Sequence, residues 1–162
     1  MNSYITDPKA WAAKCVDDPR WLAECLQRIG RFGGQHPTAN VLMHSLEVWW
    51  LCRHESPETQ LWALYHDAHE VITGDVARHC KSIRMEEMQD RLDEVLTLAL
   101  GGIKPDKVVV DRFDEMCGDA ECGHWAETIW LHGNGHAATA AHAFEIKARS
   151  LMAVIAATKG IQ

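Results

Sequence analysis

Three times before residue 60 the chain sets a hydrogen-bond-accepting side chain directly ahead of a proline, as Asp7-Pro8, Asp18-Pro19 and Ser56-Pro57. An Asp or Ser at the N-cap position satisfies an orphan helical N–H. A proline in the first turn sacrifices nothing, because an N–H there would have no partner. These are helix starts, and almost nowhere do apolar and polar residues alternate as a half-buried strand requires. The first start opens a short helix and the second opens a helix closed by Gly30. The third, with Glu58 behind it, opens a helix reaching about Val71. Thr38, after the loop Gly33-Gly34-Gln35-His36-Pro37, caps a helix running to about Arg53. Thr73-Gly74-Asp75 is a break. From Arg84 to Leu100, Met85, Met88, Leu92, Val95, Leu96 and Ala99 recur at spacings of three and four, and Gly101-Gly102 ends that helix. A helical pattern follows Pro105 as far as Leu131. After Gly133-Asn134-Gly135, an alanine-rich helix runs from about His136 to Thr158. Val108-Val109-Val110 is β-branched, but a lone strand would have no partner, so helix is expected there too. The expectation is an all-α fold, one compact bundle of six to eight helices over residues 1–162.

Composition narrows the function classes. At 162 residues, 47% apolar and 24% charged, the chain can bury one core but not two. It carries 16 Lys+Arg against 23 Asp+Glu, a net charge of −7 with His neutral, which disfavours a nucleic-acid polymer as partner. The longest run without Asp, Glu, Lys or Arg, Thr128 to Phe144, contains three His, an Asn and two Gly, so no membrane span is expected. The N-terminus has neither a basic nor an apolar leader region. The six cysteines are therefore expected to be reduced thiols packed as small hydrophobes in a cytoplasmic protein.

Ten histidines are many for an acidic chain of this size. Two of them stand in a pattern with carboxylates. His44 lies in Leu42-Met43-His44-Ser45-Leu46. His66-Asp67 lies in the block Tyr65-His66-Asp67-Ala68-His69-Glu70-Val71, with Thr73-Gly74-Asp75 directly after. Asp114 lies in Arg112-Phe113-Asp114-Glu115-Met116-Cys117. Adjacent helical residues point about 100° apart, so His66 and Asp67 can share an ion only beyond the seam between them, with further ligands from other helices. His44 and Asp114 are candidates, although Asp111, one turn earlier, competes with Asp114. Two imidazoles and two carboxylates suit one borderline or hard divalent ion, such as Co, Mn, Zn, Ni, Fe or Mg. On a continuous helix Glu70 shares a stripe with His66 and Asp67, and the glycine turn can fold Asp75 back to the same place. Carboxylates beside a metal-bound water are the usual proton handlers of metal-assisted hydrolysis.

The order His … His-Asp … Asp, with Tyr-His-Asp-Ala-x-Glu-Val-x-Thr-Gly-Asp around the doublet, resembles the HD-domain phosphohydrolases. It is most similar to their small branch, the bacterial 5'-deoxynucleotidases and the phage deoxynucleoside triphosphate triphosphohydrolases. The resemblance covers roughly Arg31 to Cys122. It implies an HD-type helical bundle with His44, His66, Asp67 and Asp114 as metal ligands and Glu70 and Asp75 as the catalytic carboxylates. It implies that Arg31 and Phe32 contact phosphate and the base or sugar, and that Lys81 faces phosphate. Relatives of the nucleotidase type often have Glu before the first His, where this chain has Met43. The implied substrate is a small 2'-deoxynucleotide and the implied assembly a dimer or larger homo-oligomer.

Arg78, Lys81 and Arg84 recur every three residues after the glycine turn, either as a solvated face or as a cationic rim for phosphates. Those extra cations fit a triphosphate, and the resemblance to the phage enzymes implies a deoxynucleoside triphosphate of dATP type cleaved to deoxynucleoside and triphosphate. The alternatives are a 5'-deoxynucleotidase acting on dNMP and a catalytically silent HD module that binds nucleotide. Two rival motifs are weaker. Cys117, Cys122, His124, His132 and His136 are spaced across a helix and a glycine break, poorly suited to zinc. His69-Glu70 lacks the second His of a metalloprotease helix, Thr73 standing in its place. Adjacent Trp49 and Trp50 cannot both face one core, which suggests a subunit contact for one of them.

Overall fold

Every residue from Leu61 to Tyr65 is buried, so the helix carrying them has no wet face in its second half and belongs at the centre of the molecule. The computed structural model describes residues 7–31, 39–122 and 137–160, excepting the side chains of 119–122 and 137–139. Among these the α-helices are α1 (Pro8–Asp17), α2 (Pro19–Leu26), α3 (Val41–Leu51), α4 (Pro57–Tyr65), the single turn α5 (Glu70–Thr73), α6 (Ile83–Ala99), α7 (Lys107–Cys122) and α8 (Ala137–Lys159). A 3-10 turn spans Arg78–Cys80. No strand occurs among the described residues, and one isolated antiparallel bridge joins Gly30 to Asn40. The fold is an all-α bundle, and the valine triplet lies in the first turn of α7.

Central α4 packs on α3, α7 and α8, while α2 packs on α8 and α1 lies along α6. Fully buried Leu46, Leu61 and Leu64 lie in this core, each contributing about 1.5–3 kcal/mol by leaving water. Tyr65 stacks at a tilt on Phe144 of α8, 5.5 Å between centroids, and its hydroxyl donates to the Cys15 carbonyl of α1. Cys15, Cys52 and Cys117 are buried in the core, as expected of small apolar residues, and Cys80 is exposed. No described helix is long and apolar enough to cross a membrane.

The capping signatures act as expected. Asp7 accepts from Lys9 and Ala10, Asp18 from Trp21, and Ser56 from Thr59. Three boundaries differ from the sequence expectation. Helix α2 ends at Leu26, not Gly30, because Arg28 and Ile29 N–H turn back to the carbonyls three residues earlier. The cap of α3 is Asn40, whose side chain accepts from Met43 N–H at 3.0 Å; Thr38 lies outside the described residues. Helix α4 stops at Tyr65, not Val71. There the His66 side chain donates through Nδ1 to the Ala63 carbonyl, 2.8 Å away, which a continuing helix would have used for the Asp67 N–H. The helix after Pro105 is described only as far as Cys122. Of the tryptophan pair, Trp49 is buried and Trp50 is exposed, with the Arg53 guanidinium 4.6 Å from its ring centre.

Candidate metal centre

Residues 66–69 form a turn with the 3-10 pattern. Ala68 N–H donates to Tyr65 O, Glu70 to Asp67, Val71 to Ala68 and Ile72 to His69, each three residues back. With three residues per turn, side chains at i and i+3 eclipse instead of trailing. Asp67 is thus brought over Glu70, and His66 is set apart. The single helical stripe expected for His66, Asp67 and Glu70 is therefore replaced by a tighter corner, which still delivers all three to one place.

Four side chains converge there. His44, buried in the first turn of α3, has Nε2 2.8 Å from Asp114 Oδ1 of α7 and 3.6 Å from Asp67 Oδ2. His66 Nε2 lies 3.3 Å from Asp67 Oδ2 and 4.0 Å from Asp114 Oδ1. His44, His66 and Asp114 each offer one ligand atom, all within 4.8 Å of one another. Asp111 is exposed and stands outside this group, so the carboxylate of α7 that meets the imidazoles is Asp114. Because the Nδ1–H of His66 is committed to Ala63, its Nε2 is the atom turned into the cluster. That nitrogen is buried and makes no hydrogen bond among the described residues. An orphaned imidazole nitrogen between two carboxylates fits a divalent cation, and the set of two nitrogens and two oxygens suits a borderline or hard one.

The electrostatics are those of a crowded anionic pocket. Burial works against charge on Asp67, yet His66 and His44 beside it hold the carboxyl well below its ordinary range. Burial would lower the His66 imidazole, but Asp67, with Asp114 behind it, raises it to about 10. Burial, with Asp67 and Asp75 alongside, pushes the Glu70 carboxyl up to about 9. A cation entering here competes with protons for the same atoms.

The chain matches no protein-family model, no curated protein and no solved structure. The remaining candidate residues divide by position. Arg31, just after the Gly30 bridge, points Nη1 to within 3.7 Å of Asp67 Oδ2 and is largely buried. Half-buried Asp75 follows Gly74 near Glu70. Arg78, Lys81 and Arg84 fall on the 3-10 turn, an extended residue and the start of α6. Arg78 is engaged with Glu115 at 2.8 Å and lies 3.9 Å from Asp114. Lys81 is half-buried and Arg84 exposed, and neither side chain has an ion pair among the described residues. Phe32 lies outside the described residues. So do His124, His132, His136 and the side chain of Cys122 in the rival zinc motif, whose Cys117 is packed in the core.

Sequence reasoning missed His69 and Asp93, whose Nδ1 and Oδ1 are 2.9 Å apart. The available signal was Asp93 standing beside Leu92 on the buried face of α6, where a carboxylate needs a partner.

Gly74 sets the exit from this corner. Its φ of +73° and ψ of 167° belong to a region essentially reserved for glycine, while a Cβ there would meet nothing within 4 Å. Gly74→Ala is therefore expected to cost about 1–3 kcal/mol through the backbone alone, read by urea unfolding. A loss below about 0.5 kcal/mol would remove the strain assignment.

Proposed function

We propose that the chain is a metal-dependent phosphohydrolase of HD type that acts on 2'-deoxynucleotides, most specifically a deoxynucleoside triphosphate of dATP type released as deoxynucleoside and triphosphate. The observation that carries this reading is the convergence of His44, His66, Asp67 and Asp114, from two helices and one corner of the chain, in the order that the resemblance implies. A divalent cation held by these four would polarise a phosphate oxygen and lower the pKa of a bound water.

The chain's own residues supply the rest. Arg31, fixed beside Asp67, is placed to neutralise phosphate charge and orient it. Glu70 holds a proton at neutral pH because of its burial and its carboxylate neighbours, so it can give one to a leaving oxygen. Asp75, half-buried after the glycine turn, is available to orient the attacking water. Lys81 adds a cation for a longer phosphate chain, and the resemblance assigns Phe32 to the base or sugar. The protein works in the cytoplasm as a dimer or larger homo-oligomer, on a small nucleotide and not on a nucleic-acid polymer.

One observation favours the shorter substrate. The pairing of Arg78 with Glu115 and its approach to Asp114 remove one cation from those open to a triphosphate. Incubating the protein with each dNTP and dNMP in Mn2+ or Co2+, and identifying the phosphate product, decides between them. Triphosphate from a dNTP is the expected result. Orthophosphate from dNMP alone would make it a 5'-deoxynucleotidase. Metal binding with no turnover of either would leave a silent nucleotide-binding module and overturn the enzymatic reading.

A further inference from the structure

Beside the four ligands lies a second group of donors that the proposed reaction does not use as ligands. Asp67, His69 and Glu70 each offer one ligand atom, all within 4.8 Å of one another. His69 is only 7% exposed and Glu70 only 4%. His69 Nε2 and Glu70 Oε2 are both buried without a hydrogen-bond partner among the described residues. Two unsatisfied buried polar atoms facing one carboxylate are costly unless something occupies the space between them. The other nitrogen of His69 is fixed: Nδ1–H donates to Asp93 at 2.9 Å. A carboxylate behind an imidazole, with the far nitrogen left bare, is the usual support of a histidine that ligates metal.

From this geometry we infer a second divalent-cation subsite formed by Asp67, His69 and Glu70, with Asp67 bridging it to the first. The inference deepens the metal-dependent reading and rests on it for the first ion. Asp67 suits the bridge because Oδ2 already faces His44 and His66, and a carboxylate can serve two ions, one with each oxygen. Charge points the same way. Four carboxylates, Asp67, Glu70, Asp75 and Asp114, gather around the two histidines, with the Arg31 guanidinium on Asp67 and that of Arg78 on Asp114. The donor set of one nitrogen and two oxygens suits Mn2+ or a similar ion, and paired ions of this kind sit about 3.5–4 Å apart on either side of a phosphoryl group. With that ion bound, Glu70 is its ligand and proton handling falls to Asp75.

The test is metal stoichiometry. Chelator-treated full chain is titrated with Mn2+ by calorimetry, and the loaded protein is examined by electron paramagnetic resonance. Two equivalents per chain and a spin-coupled signal are expected. His69→Ala and His69→Gln should each retain the first equivalent and lose the second along with the coupling. Asp93→Asn should weaken the second equivalent by about 10–100-fold. One equivalent in the unaltered protein at millimolar Mn2+, or a second equivalent undiminished in both His69 variants, would overturn the subsite. Should two ions bind as described while no deoxynucleotide is turned over, the subsite stands and the hydrolase reading falls. The circular dichroism of each variant, compared with the parent, shows whether His69→Ala has folded; if it has not, His69→Gln and Asp93→Asn decide.

Discussion

Asp67→Asn is expected to release the first ion and to lower turnover on the order of 10³-fold, equivalent to about 4 kcal/mol of transition-state stabilisation. The amide preserves shape and removes charge at a residue that reaches both imidazoles, at 3.3 and 3.6 Å, and also the Arg31 guanidinium at 3.7 Å. Metal content by mass spectrometry and product formation are read on the same preparation. Asp111→Asn, an exposed neighbour on α7, is the control and should keep its ion. An Asp67→Asn protein that retains both metal and activity would sink the site assignment.

The second large effect is on stability. Glu70 is raised from 4.5 to about 9 and His66 from 6.5 to about 10 in the folded chain, so each binds its proton more tightly folded than unfolded. For a raised pKa the stabilisation is complete below the unfolded value and is lost as pH climbs through the folded one. Without metal, stability should therefore fall from about pH 5 to pH 9, by several kcal/mol, since each tenfold gain in proton affinity on folding is worth about 1.4 kcal/mol. Burial opposes ionisation of Asp67 and Asp114, but the imidazoles beside them lower both; their contribution is present above the usual carboxylate range and is lost only in acid. A divalent cation displaces the same protons, so the stabilisation it brings should grow over the range in which the chelated protein weakens. Thermal unfolding in chelator and in Mn2+ at each pH checks both slopes, and Glu70→Gln should flatten the first. A chelated protein that gains stability toward pH 9 would contradict the sign.

The parts of this architecture that depend on local chemistry were legible in the sequence. Asp7, Asp18 and Ser56 announce helices because a cap and a proline act within four residues, and the structure puts helices there. His44, His66, Asp67 and Asp114 could be grouped because residue type and order mark them, and the bundle brings them together. The end of α4 was not legible, since neither glycine nor proline stands between Tyr65 and Thr73. What stops that helix is one imidazole taking a carbonyl from the backbone, a competition between two hydrogen bonds of nearly equal worth. The His69–Asp93 contact was hidden for another reason: it joins residues 24 apart, and its existence depends on how α6 is rotated. Periodicity gives that rotation only to within a face. A spacing of three aligns side chains only on a continuous helix, and between Arg78, Lys81 and Arg84 the chain changes conformation twice.

Asn40 occupies a position whose consequence reaches both sides of the pocket. Its backbone bridges Gly30, and beside that bridge Arg31 N–H donates to the Ala39 carbonyl. Its side chain holds the first turn of α3, and its carbonyl receives the N–H of His44. The foot of Arg31 and the foot of His44 thus share one knuckle. A shift of Asn40 would therefore move His44 and Arg31 together against Asp67, which both side chains approach, so that imidazole and guanidinium answer to a single lever.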